Sequence, residues 1–290
     1  MYRLFLLISL LLVTLRPALA APVPKILIPS VPPLAVTYDV YVGGLHLMTA
    51  DVVFQEQDTG YRVRVLGHTY GIWYKLVPWD TELKVEGTIH EDRFVPAEFY
   101  TRDVWWHKPR TTWLHFKEDG DIKPDFDPPN TDKNREAISL EQRRGSLDPI
   151  SGLLQLLAHV TVHKNCAVTV PIFEGRRRFD ITGIDAGTEA IDDSDYSSFS
   201  GEARACDAEF NMVAGEWKDR PPDRFWVRNS GETGREPFHI WLGALAPGLP
   251  EMPVRLESGS VWGLIMMHLT SWHYATPEEL NFGTTKSPGP

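Results

Sequence analysis

Only two cysteines, Cys166 and Cys206, occur in 290 residues, and neither lies in a Cys-x-x-Cys pair. That pattern excludes dithiol redox chemistry and cysteine-rich zinc sites. No Gly-x-Gly-x-x-Gly or P-loop pattern is present, so nucleotide cradles of those types have no support. The Gly-x-Ser-x-Gly elbow of many hydrolases is also missing. Basic residues are in deficit: 29 Lys and Arg stand against 39 Asp and Glu, a formal charge of −10. An acidic chain argues against nucleic acid as a partner and against general attraction to anionic lipid heads. No cofactor is expected.

Long hydrophobic runs are equally scarce. One run, Leu4 to Leu15, follows Arg3 and precedes Ala18-Leu19-Ala20, the pattern of a secretory signal over residues 1–21. Arg16 and Pro17 stop it well short of the roughly 20 apolar residues that a membrane span needs. An exported chain with no transmembrane anchor after signal removal is the expectation. Loss of Arg3 and Arg16 would move the formal charge from −10 to −12. In an exported chain an even pair of cysteines reads as a disulfide, Cys166 to Cys206. Closing a loop of that length contributes about 4 kcal/mol in the chain-entropy account.

The chain is organised around residues 145–182. Asp148-Pro149 starts a helix over about 149–162, with Ser146 or Asp148 free to cap the first turn. Ile150, Leu153, Leu154, Leu157 and Val160 recur at helical spacing, and Leu156 widens the stripe. Two strands follow, Cys166 to Phe173 and Arg176 to Thr182, joined at Glu174-Gly175. Strand alternation would put Arg176 and Arg178 on one face and Arg177 on the other. Two readings fit the arginines: a solvated face, or a clamp for an anionic group.

Elsewhere short β-type runs alternate with polar turns. Gly43-Gly44 reads as a hairpin turn, and Tyr61, Val63 and Val65 alternate with Arg62 and Arg64. Further runs at 81–89, 94–104, 111–117, 208–215, 224–227, 237–244, 254–258 and 261–269 indicate an antiparallel meander. Residues 121–141 read as a long surface loop, 22–33 as a proline-rich extended arm, and 276–290 as a disordered polar tail. One β-rich domain over 34–275 is expected, a large curved antiparallel sheet or open barrel wrapped around the central helix.

Candidate sites are few. Trp73, Trp79, Trp105, Trp106 and Trp113 crowd together in the first half; they either fill the interior or stack on a ligand. His159 and His163 stand at i, i+4 on the helix, without the glutamate of a zinc-protease motif. Asp192, Asp193 and Asp195 lack the glycine and glutamate of a calcium loop. Asp125 and Asp127 are the carboxylate pair for a hydrolytic alternative.

Tyr38-Asp-Val-Tyr-Val-Gly-Gly-Leu, Lys108-Pro-Arg, Arg144-Gly-Ser-Leu-Asp-Pro, Val170-Pro-Ile-Phe-Glu-Gly-Arg-Arg-Arg and the paired cysteines span about 36–270. In these pieces the chain resembles a family of exported bacterial proteins known as a domain of unknown function, with Glu174 where that family usually has Asp. The resemblance implies a periplasmic or envelope protein with a curled antiparallel sheet. By fold analogy it also looks like lipoprotein-carrier half-barrels.

The leading expectation is a non-enzymatic protein that binds a lipid or glycan of the envelope on a concave face. Its expected ligand-binding residues are Arg176, Arg178, Trp79, Trp105, Trp106, Trp113, Leu153 and Leu157. The alternatives are an assembly factor acting on an envelope protein partner, through a sheet edge or the arm, and a hydrolase of envelope polymers.

Overall fold

A computed structural model describes residues 32–57, 59–131, 134–218 and 238–283. The expected signal over 1–21, most of the arm over 22–33 and the expected strand over 224–227 lie outside these residues. The first half holds β1 (Leu34–Val42), β2 (Leu45–Gln57), β3 (Gly60–Thr69), β4 (Trp79–His90), β5 (Arg93–Trp105), β6 (Lys108–Phe116) and β7 (Ile122–Asp127). The second holds β8 (Val168–Phe173), β9 (Arg178–Ile191), β10 (Gly201–Ala214), β11 (Phe238–Ala244), β12 (Glu251–Ser260) and β13 (Gly263–Tyr274). Among the described residues three helices accompany them: α1 (Ile72–Leu76), α2 (Leu140–Arg143) and α3 (Pro149–His163).

These strands make one antiparallel sheet in the order β7-β6-β5-β4-β3-β2-β1-β13-β12-β11-β10-β9-β8. Two meanders, one from each half, therefore meet where β1 pairs with β13. β7 and β8 do not pair, so the sheet is not closed into a barrel. Its curl is seen from α3, which packs on β8, β5 and β12, strands far apart in the sheet order. The expected fold class, a curved antiparallel sheet around one central helix, is the observed one.

Prolines fall where a sheet tolerates a missing N–H. Pro124 and Pro171 lie on the two edge strands, and Pro96 and Pro253 sit opposite register shifts. The first of these explains a correction: 122–127 is not loop but the edge strand β7, whose proline and aspartates hide its strand character. α1, a five-residue helix between β3 and β4, has no sequence periodicity long enough to show it.

The segment between the two meanders lies in the gap left by the unpaired edges. Gly145 donates its N–H to Gly120 O at 3.1 Å, and Leu147 pairs with β8 through Pro171 O and the Phe173 N–H. Arg143 reaches Asp121 at 3.0 Å. Across the same gap, Gly175 at φ +99° sits so close to Thr112 that a Cβ would lie 2.9 Å from its methyl. Phe173 shares a buried cluster with Tyr61, Phe99, Leu114 and Ile122, so the two edges are joined by packing rather than by backbone hydrogen bonds.

The start of the expected tail is also placed. Phe282 is buried against Ala35 and Val53 on the sheet's outer face, with the Arg62 guanidinium 4.6 Å from its ring. Arg64 donates to the carbonyls of Asn281 and Glu279. One aromatic among polar neighbours anchors 276–283, which departs from the expectation of disorder there; residues 284–290 lie outside the described residues.

Cys166 and Cys206 form a disulfide with Cα atoms 5.8 Å apart. It lies in a buried cluster with Leu156, Val160 and Leu242, pinning the end of α3 to β10. Reduction, or Cys206→Ser, should lower the unfolding free energy by about 2–4 kcal/mol in urea titrations. Equal midpoints with and without reductant would show that the cross-link contributes nothing.

Candidate functional site

The capping residue of α3 is Asp148. Its Oδ1 accepts from the amides of Ile150 and Ser151, both at 2.9 Å, while Oδ2 accepts from the Ser151 hydroxyl. Ser151 is in turn 2.7 Å from the Tyr61 hydroxyl of β3. Ser146, the other capping candidate, is buried but does not cap the helix. A chain of three buried polar side chains thus fixes both the start of α3 and its rotation relative to the sheet.

That rotation splits the expected leucine stripe in two. Gly152, Leu156 and Val160 turn toward β8 and the disulfide and are buried. A side chain at Gly152 would collide with Ile172, which is how the helix comes so close to β8. Gln155 adds a polar clamp, accepting from the Phe94 amide and donating to Asp92 O. Ile150, Leu153, Leu154 and Leu157 face the other way, across a gap from β1, β2 and β3.

The gap is a cavity of about 310 Å³. Leu34 and Val36 of β1, Val52 and Phe54 of β2, and Val65 of β3 form its wall opposite the helix. Met252 and Met267 close one side, and Leu153, 37% exposed, stands at its opening. Polar side chains enter the lining only at Tyr38, Glu56, Thr161 and Glu251. Tyr38 donates to Pro253 O and Thr161 to Leu157 O, while Glu251 pairs through Oε1 with Lys164 at 3.2 Å and its Oε2, 3.7 Å from Arg204 Nε, has no hydrogen bond. The surface offered to a guest is therefore almost entirely hydrocarbon.

Of the expected ligand-binding residues, only Leu153 and Leu157 line this cavity. Among the described residues no tryptophan does. Trp113 is buried on the sheet. Trp79 and Trp105 pair across β4 and β5, their rings 5.8 Å apart. Trp105 and Trp106 are both about half exposed, because the strand ends at Trp105 and Trp106 begins the turn.

The arginines also depart from the expected alternation, since β9 begins only at Arg178 and Arg176 and Arg177 lie in the turn. Arg176 stacks 4.9 Å from the Phe126 ring. Arg177 forks onto Glu174 with two 2.7 Å hydrogen bonds. Arg178 binds Asp180 and the Gln142 carbonyl. These contacts tie β7, α2 and the β8–β9 turn together, a seam rather than a clamp on the concave face.

Other candidates are dispersed. Asp125 lies 3.3 Å from His115 and 3.4 Å from Lys123, and Asp127 is exposed at the strand end. The His159 and His163 rings are 4.4 Å apart. Among the described residues no group of three or more His, Cys, Asp or Glu is placed to hold a metal, and no helix is long and apolar enough to cross a membrane. What the sequence reading missed is the polar chain at the helix start and the sheet half of the cavity; the alternation of β1 and β2 was the signal for the latter.

Burial raises the Asp148 carboxyl to about 6, against the pull of its hydrogen bonds. A folded pKa above the unfolded value of 3.8 means that the folded state holds its proton longer. Stability from this group is therefore full at low pH and falls as pH rises from about 4 to about 6, by about 3 kcal/mol. Asp148→Asn, which keeps the cap, should flatten that part of the stability–pH curve. Parallel curves for the two proteins would refute the assignment.

No curated protein matches the chain. Among solved structures it is similar to a beta-barrel-like protein of domain of unknown function DUF1849 from Brucella abortus, at 11% identity. The match covers 85% of this chain and 99% of that one, with a TM-score of 0.47. The model of the family described as Protein of unknown function (DUF3108) matches residues 37–270, most of the chain, and the chain belongs to that family.

Proposed function

We propose that the protein is a non-enzymatic binding protein of the periplasm that holds the apolar chain of an envelope lipid between α3 and the β1–β3 face. The carrying observation is the cavity wall, hydrocarbon on both the helix and the sheet side. Its volume stands at the lower end of the roughly 300–1,000 Å³ typical of small-molecule sites. A lipid is favoured over a glycan because sugar hydroxyls need several polar partners, and in this lining the Tyr38 and Thr161 hydroxyls already donate to carbonyls. The tryptophans expected to stack on sugar rings lie elsewhere. The disulfide fits an oxidising, exported setting.

The test is native mass spectrometry of protein recovered from its own host, comparing wild type with Ala50→Phe, which fills the cavity from β2. Each buried methylene contributes about 0.8 kcal/mol, so displacing two should weaken retention by more than tenfold. A lipid adduct on the wild type that is lost from Ala50→Phe, at unchanged melting temperature, is the expected result. No adduct on the wild type, or equal adducts on both, would overturn the proposal.

A further inference from the structure

Sheet order places four hairpin connections side by side at one end of the molecule: β5–β6, β3–β4, β1–β2 and β12–β13. They touch in sequence. Trp106 donates its N–H to Pro78 O, Tyr70 donates to Leu47 O, and Gly43 donates to Leu264 O. The His46 ring stacks on Tyr70 with centroids 3.9 Å apart. The result is one continuous rim spanning eight consecutive strands.

Its composition is unlike the rest of the chain. The four stretches, residues 43–47, 70–79, 105–110 and 261–266, contain no Asp or Glu, although the chain has 39. They do contain Lys75, Lys108 and Arg110, all exposed. Large apolar side chains there point into solvent: Trp262 is 71% exposed, Ile72 67%, Leu45 59% and Trp106 56%. α1 has no buried residue despite the sequence Ile-Trp-Tyr-Lys-Leu. Trp106 and His107 occupy a two-residue turn with φ of 49° and 62°, a conformation that favours Asn-Gly. Acids begin just outside these stretches and are engaged there: Asp80 accepts a hydrogen bond from Tyr74, Asp39 lies 3.2 Å from His46 and accepts from Thr49, and Asp103, in register with Arg110, accepts from Thr81.

Tryptophan and tyrosine beside lysine and arginine, without acids, is the composition of protein surfaces that sit at the boundary of headgroups and acyl chains. Protein interfaces are also rich in aromatic residues, but they are depleted in lysine, whereas Lys75 and Lys108 stand among the aromatics here. We infer that this rim docks on an anionic phospholipid bilayer, seating Trp106, Trp262 and Ile72 among the headgroups while Lys75, Lys108 and Arg110 meet lipid phosphates. The inference concerns a different surface from the cavity and does not depend on it.

The purified protein, freed of residues 1–21 so that their apolar run cannot itself insert, is tested by flotation with two kinds of vesicle. One is phosphatidylcholine mixed with phosphatidylglycerol, the other phosphatidylcholine alone. Binding to the mixed vesicles is expected, weaker in high salt, and reduced roughly tenfold or more in a Trp106→Ser, Trp262→Ser double variant. Lys75→Glu with Lys108→Glu should remove the preference for the anionic vesicles. Ala50→Phe should bind vesicles as the wild type does, which separates this surface from the cavity. No flotation, or flotation indifferent to both sets of substitutions, would overturn the inference. So would self-association that the tryptophan substitutions abolish, since the rim would then be an interface between copies.

Discussion

A sheet that curls without closing must cover its inner face with something, and among the described residues only one helix of 15 residues is available. An α-helix with its side chains is about 10–12 Å across, enough to fill the space beside one stretch of sheet but not a whole concavity. α3 is held to one side. Gly152 lets it approach β8, and the disulfide cluster holds its far end near β10. Seated there, the helix leaves Ile150, Leu153, Leu154 and Leu157 across a gap from β1–β3. The cavity is the geometric consequence of an off-centre plug in an unclosed sheet.

Much of this was legible in the residues. Alternation along β1–β6, the Gly43-Gly44 turn, the Asp148-Pro149 helix start and the cysteine pair all have local causes, and all appear where local chemistry put them. What was illegible depends on nonlocal packing. Periodicity identifies a wide apolar stripe on α3 but cannot say that Leu156 meets the disulfide while Leu153 faces a void. The arginine run looks like a charged strand, yet its partners Phe126, Gln142 and Asp180 come from three elements. β7 escaped notice because edge strands obey looser rules, so a proline and two aspartates there carry little information. Phe282 could be placed only once the outer face of β1 and β2 existed to receive it.

Net charge is another property that the fold redistributes. The chain as a whole carries −10, which argues against attraction to acidic surfaces. Acids nevertheless avoid four neighbouring hairpin ends and gather at connections on the opposite side, as at Glu91-Asp92 and Glu118-Asp119. A dipolar arrangement of this kind is invisible to a sum over residues. At ionic strengths where the Debye length is about 8–10 Å, a partner at one end feels little of the charge at the other.

The polar chain Tyr61–Ser151–Asp148 connects these features. Burying a carboxyl costs free energy that a packed apolar residue would not, so the network contributes less to stability than to orientation. A smooth apolar stripe could rotate about the helix axis with little change in buried area. A cap that accepts two amides, and a serine bound to a tyrosine on β3, hold the azimuth that sends Leu156 to β8 and Leu153 to the opening. The chemistry of the cavity wall is hydrocarbon, but which hydrocarbons form it is decided by three side chains that do not line it.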